Sequence, residues 1–263
     1  MNIVTSADKN YYHCLRVLAA SIRRYYDKQL IVYDLGLTEK QRGEIDARIV
    51  PINVDVDFST YYSFFRQDGR KKKKTVVMRA THKPFCILHY WNNNSEPMIF
   101  VDADCVFNAK VVESGFDIGV TLRSAENVDL KDSWTGILNS GVLFCNAPAT
   151  ELMKRWAEGC TRQDTTDQRE LTEILSETID WRKYDSTYDW FGIRVKVFDC
   201  AEYNDTYIEN GKILHFKGTR HNRDIYPHLL NALTDGGNVQ KVYKKLKRKE
   251  AGSWFQRIFK KIP

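Results

Sequence analysis

The chain has 263 residues, 43 per cent of them apolar, enough to bury one sizeable core and too apolar for a disordered polypeptide. Its formal charge of +6 is concentrated at one end: residues 241–263 hold nine Lys or Arg against one Glu, a tail of +8 on a body of −2. A nucleic-acid-binding fold would carry its cations on the folded surface, so nucleic acid is not the expected partner.

The elements follow in order. "NIVTSAD" is a buried strand entering a polar turn, and "YYHCLRVLAASIRRYY" sets Leu15, Leu18, Ala19, Ile22 and Tyr26 on one helical face. A second strand, "QLIVYDLG", precedes a polar helix over "TEKQRGEIDARI" capped by Thr38, and "VPINVDV" is expected as a third strand. Strand, helix, strand, helix, strand at this spacing predicts a parallel sheet with crossover helices, an α/β fold. Residues 57–78 have no clear period and are expected to loop, with "GRKKKK" as a solvated basic run. A helix follows over "MRATHKPFCILHYWN", Pro84 fitting its first turn.

"PMIFVDAD" is an apolar run of the kind found in central parallel strands, and it ends on Asp102 and Asp104. "DIGVTLR" and "GILNSGVLFCN" predict two more strands, "TELMKRWAEGCTR" and "DQRELTEILSE" two helices, and "RVKVFD" and "KILHFKG" late strands. With no repeat and no low-complexity linker before the tail, residues 1–240 are expected to form one domain. "VQKVYKKLKRKEAG" predicts a basic helix and "SWFQRIFKKIP" a second amphipathic one, aromatic on one side and cationic toward the other. Such a tail, residues 241–263, suits the surface of an anionic membrane, or else packs its apolar face on protein.

Six cysteines without CxxC spacing argue against a zinc site or disulfide framework and fit a reducing compartment. "MNIVTSADKN" lacks the pattern of a secretory signal, so a cytoplasmic protein is expected, peripheral on the inner membrane face if the tail binds there.

Two carboxylates one residue apart repel unless a cation lies between them. At the carboxyl end of a central strand, where open α/β sheets bind ligands, Asp102 and Asp104 are candidate ligands for Mn²⁺ or Mg²⁺. His215 could add an imidazole, which favours Mn²⁺. Lys217 and Arg220 follow it as candidate partners for a diphosphate. Asn139, Ser140 and Gly141 interrupt an apolar strand, and a glycine there implies close approach by ligand or backbone.

The ordered series "NIVTSAD", "MRATHKPF", "FVDADCVF", "LNSGVLFCN", "TTDQREL" and "ILHFKGTRH" resembles the nucleotide-sugar-dependent glycosyltransferases of GT-A fold. It is most similar to glycosyltransferase family eight, the glycogenin-like and bacterial lipopolysaccharide galactosyltransferase-like enzymes, over about residues 1–230. The resemblance implies a mainly parallel, Rossmann-like mixed sheet and retaining transfer of a sugar from a UDP-sugar to a glycan or lipid-linked acceptor, as in lipopolysaccharide or capsule synthesis.

The donor sugar, the acceptor and the linkage are set by pocket shape and are left open by these motifs.

Residue by residue, the resemblance implies that Thr5, Ser6, Ala7 and Asp8, with Tyr11 or Tyr12, hold base and ribose. Arg79 and Lys83 face the nucleotide, and Asp102 or Ala103 touches ribose. Asp102, Asp104 and His215 bind the metal, while Lys217 and Gly218 lie against the diphosphate. Asn139 and Ser140 meet the donor sugar, and Asp167 and Gln168 the reacting face. Thr219, Arg220 and His221 stand where many members have Lys-Pro-Trp, which leaves the phosphate-holding cation open between Lys217 and Arg220. Arg169 replaces an acidic residue often found after the Asp-Gln pair, which leaves the sugar open. Competing readings are an inverting GT-A transferase, a nucleotidyltransferase, disfavoured because no glycine-rich basic loop follows the first strand, and a non-catalytic adaptor for membranes or polyanions.

Overall fold

The computed structural model describes residues 1–52, 82–123, 136–162, 165–180, 186–217 and 224–248. Eight strands form one mixed sheet. β1 (Asn2–Ala7), β2 (Leu30–Asp34), β3 (Ala47–Pro51) and β4 (Met98–Val101) run parallel; β7 (Leu138–Cys145) is antiparallel to both β4 and β6 (Ile118–Leu122). β9 (Ile193–Asp199) runs parallel to β6, and β8 (Thr187–Trp190) closes the edge, giving the order β3-β2-β1-β4-β7-β6-β9-β8. β5 (Cys105–Phe107) and β10 (Ile213–His215) pair antiparallel as a separate ribbon.

Alternation along the strands divides the core between the two faces of the sheet. Met98 and Phe100 of β4 pack with helices α3 (Lys83–Asn93), α4 (Thr150–Gly159) and α5 (Asp167–Leu175), through Ile87, Tyr90, Trp156 and Leu171. Ile99 and Val101 face α1 (Tyr12–Arg23) through Leu15, Leu18 and Ile22. The outer side of α1 buries Cys14 and Val17 against Leu214 of β10 and against α7 (Ile225–Thr234). The ribbon is thereby held beside the carboxyl end of β4.

Local chemistry accounts for the helix ends. Thr38 and Gln41 form a reciprocal capping box at α2 (Glu39–Glu44), and Thr166 accepts the Arg169 N–H at the start of α5. Pro84 occupies the first turn of α3, where its missing N–H costs nothing. All six cysteines are buried, and none forms a disulfide.

The third strand is a correction: it covers Ala47–Pro51, upstream of most of "VPINVDV". Because α2 has only six residues, the chain turns extended at Ile45 and pairs Ala47 with Leu30 at once. Four elements were not expected from the sequence: β5, β8, α6 (Cys200–Tyr203) and α7. The loop over 57–78 and the helix over "SWFQRIFKKIP" lie outside the described residues. The first basic helix is present over residues 239–248, and it is not detached: Val239, Val242, Tyr243 and Leu246 pack with α1, α7 and β10, the Tyr243 ring standing edge-on to Phe216 at 5.0 Å.

Candidate functional site

The site is built where β4 ends. The Asp102 N–H donates to Gly141 O at 2.8 Å and the Cys105 N–H to Asp102 O at 3.0 Å, a tight turn that sends the chain from β4 into β5. In the β5–β10 ribbon His215 is the partner of Cys105, and the Phe216 N–H donates to Asp104 O at 2.9 Å. Pairing, not sequence proximity, thus puts His215 beside the aspartates. Its Nε2 lies 3.3 Å from Asp104 Oδ1 and 3.8 Å from Asp102 Oδ2. One ligand atom from each of the three residues lies within 4.8 Å of the others. Two carboxylates and an imidazole at this spacing can hold a divalent cation, and the set suits Mn²⁺.

Gly141 makes room for the histidine. A Cβ there would stand 2.5 Å from His215 Cε1, so the close approach expected at this glycine is made by the imidazole ring. The backbone conformation comes from a bulge in β7. Its register against β6 jumps from Leu143 to Asn139 between Val120 and Thr121, leaving residues 140–142 without partners on β6. Ser140 is thereby turned toward α5.

On the other side of Asp102 lies a buried ionic network. Lys83 Nζ is 2.8 Å from Asp102 Oδ1 and 3.0 Å from Asp167 Oδ2, and it donates to Ser140 O and Oγ at 3.0 and 3.1 Å. Ser140 Oγ donates to Asp167 Oδ2 at 2.6 Å. Lys83 is 2 % exposed; burial alone would lower its pKa, but Asp102 and Asp167 outweigh that and hold the ammonium above the ordinary lysine value. Lys217 has the opposite balance. Desolvation, then repulsion from Arg123, lowers its pKa, with Asp102 opposing.

The other expected residues divide by place. Asn139 is buried, its Oδ1 accepting the Gly141 N–H and its Nδ2 donating to Cys200 Sγ. Gln168 is buried in the first turn of α5, its Nε2 directed at Gly136 O. Ala103 is buried between the two aspartates in sequence. Thr5, Ser6 and Ala7 end β1, next to β4 in the sheet, and Asp8 accepts from Asn10 N and Nδ2. Tyr12 is buried in the core with its hydroxyl donating to Glu44, while Tyr11, half-buried, packs against the same core. Arg79, Gly218 and Arg220 lie outside the described residues.

Two residues absent from the sequence reading touch this group. Arg123, just past β6, donates to Gly136 O and bears on Lys217. Asn204, at the end of α6, is fully buried with its Oδ1 2.7 Å from His215 Nδ1. Neither carries a signal: one follows an ordinary strand, and the other stands in an Asn-Asp pair of the kind common in turns.

No protein-family model matches the chain, and no curated protein matches it in sequence. Solved structures do match. The galactosyltransferase LgtC, in complex with donor and acceptor sugar analogues, is similar at a TM-score of 0.52 and 16 % identity, over 89 % of this chain and 96 % of that one. The bifunctional glycosyltransferase WbbM, in apo form, is similar at a TM-score of 0.51 and 12 % identity, over 93 % of this chain and 51 % of that longer one. With its mainly parallel sheet and an acidic pair at the carboxyl end of a central strand, the chain has the GT-A fold of glycosyltransferases.

Proposed function

We propose that the protein is a metal-dependent glycosyltransferase that moves a sugar from a UDP-sugar to a hydroxyl of a glycan or glycolipid, with retention of configuration. The observation that carries this reading is the convergence of Asp102, Asp104 and His215 at the carboxyl end of β4, in a fold shared with LgtC. The donor set fits Mn²⁺, with Mg²⁺ as the harder alternative. A divalent cation held there supplies Lewis-acid charge to the departing diphosphate.

The chain's own residues supply the rest. Lys217, with Arg220 beyond it, adds fixed positive charge to the leaving group, and the lowered pKa of Lys217 is relieved when a diphosphate arrives. The Asp167 carboxylate, held by Lys83 and Ser140, stabilises the positive centre that develops as the glycosidic bond breaks. Asn139 and Ser140 meet the donor sugar, and Gln168 stands with Asp167 at the reacting face. The β1 end, from Thr5 to Asp8 with Tyr11 or Tyr12, receives base and ribose, together with Arg79 and Ala103.

The reading extends to an acceptor at a membrane, a lipid-linked glycan of a surface polysaccharide, reached through residues 241–263. Lys241, Lys244, Lys245 and Arg248 line one basic surface of the helix over 239–248, whose apolar side is packed on the body. No helix among the described residues is long and apolar enough to cross a membrane. Truncating the tail would strip core contacts, so the test is to replace those four cations with Gln and measure partition onto anionic vesicles. Unchanged partition removes this part of the proposal.

The main test is thermal stabilisation by UDP with and without Mn²⁺, in the wild type and in Asp102→Ala. Ligand that binds only the folded state raises the melting temperature. A metal-dependent rise lost in the variant is expected; no shift with any nucleotide would overturn the reading and favour a polyanion-binding adaptor.

A further inference from the structure

We propose that Asn204 is a positioning residue for metal binding, presenting His215 to Asp102 and Asp104 as the tautomer protonated on Nδ1, with the Nε2 lone pair toward the two carboxylates. The inference rests on the metal-dependent reading above.

The amide's orientation follows from its surroundings. Asn204 Nδ2 donates to Thr121 Oγ1 at 2.8 Å and to Asn139 O at 3.2 Å. A backbone carbonyl only accepts, and Thr121 Oγ1 has spent its own hydrogen on Asn139 O at 2.8 Å, so it too accepts from the amide. Rotating the amide by half a turn would set Oδ1 against a carbonyl with no hydrogen between them. Oδ1 therefore faces His215 Nδ1, which must be the donor across the 2.7 Å contact. In the neutral ring the remaining lone pair is on Nε2, the nitrogen 3.3 Å from Asp104. A metal-ligating histidine held in this way by its second nitrogen loses affinity by about 10 to 100-fold when the partner is removed.

The surroundings also fix the ring in place. The Asn204 N–H donates to Cys200 O at 2.8 Å, and the His215 N–H to Asp205 O at 2.8 Å, so both ends of the contact are tied to backbone. Gly141 lies against the ring, and any larger residue there would push it away.

The experiment titrates metal-free protein with Mn²⁺ alone, following the free-ion electron paramagnetic resonance signal, in wild type, His215→Ala and Asn204→Ala. Nitrogen-15 NMR of the neutral imidazole reports the tautomer. Asn204→Ala is expected to weaken Mn²⁺ binding by about 10 to 100-fold, and the wild-type ring to be protonated on Nδ1. Wild-type affinity in Asn204→Ala, or a wild-type ring protonated on Nε2, would overturn the proposal. If wild type itself binds no Mn²⁺, the metal reading fails and takes the role in binding with it, while the NMR spectrum judges the tautomer separately. If Asn204→Ala does not fold, the wild-type spectrum decides.

Discussion

Asp104 and Asp205 are both buried, 7 % and 3 % exposed, and they are opposites in how their charge is met. The Asp205 carboxylate accepts N–H groups from Tyr207, Glu209 and Gly211 of its own loop, at 2.9, 2.6 and 3.1 Å. Asp104 faces the His215 ring, with a second carboxylate close by. A carboxylate answered by backbone amides stabilises the fold. One aimed at another acid and an imidazole spends stability, and only a ligand returns it.

The comparison can be broken by mutation. Asp104→Asn should lower transfer about a thousandfold, because the charge a metal supplies to the leaving group contributes several kcal/mol, while metal-free melting stays level or rises; steady-state kinetics and calorimetry check both halves. Lys83→Met should cost about 3 to 5 kcal/mol, since it strands the buried Asp167 carboxylate and leaves the half-buried Asp102 without its cation. Urea unfolding measures that, and adding Asp167→Asn should restore part of it. Asp205→Ala should cost about 2 to 3 kcal/mol through three unmet amides, visible in the same unfolding experiment; a loss of Mn²⁺ affinity without a loss of stability would reverse the assignment of the two aspartates.

Smaller effects sharpen the contrast. Gly141→Ala should weaken Mn²⁺ binding about tenfold by pushing the His215 ring off its contact with Asn204, readable by titration. Lys217 gives a pH signature. Its folded pKa is lowered, so between that value and the unfolded lysine value of about 10.4 the unfolded chain binds more protons, and stability rises with pH across that window. UDP affinity should fall over the same window as the charge is lost. Lys217→Met should abolish both trends, as thermal melts with and without UDP would show.

The aspartate pair was legible because an apolar run ending in two acids has few structural uses, and His215 because it opens a short cationic segment. Thr38 and Pro84 were legible as helix starts because their effects are confined to one turn. α7 was not, because its apolar face has meaning only against α1 and β10. The β3 boundary was displaced because register on an edge strand is set by its neighbour.

What the sequence determined by itself is therefore local: strand and helix periods, caps, and the acids at the end of β4. The tertiary structure decided which distant groups meet. The β5–β10 pairing carries His215 to Asp104, and the β7 bulge turns Ser140 toward Asp167. Lys83 closes on Asp102 and Asp167, and Asn204 on His215. These contacts join segments far apart in the chain. Their energies depend on burial and on the orientation of single hydrogen-bonding groups, which no pattern of neighbouring residues encodes.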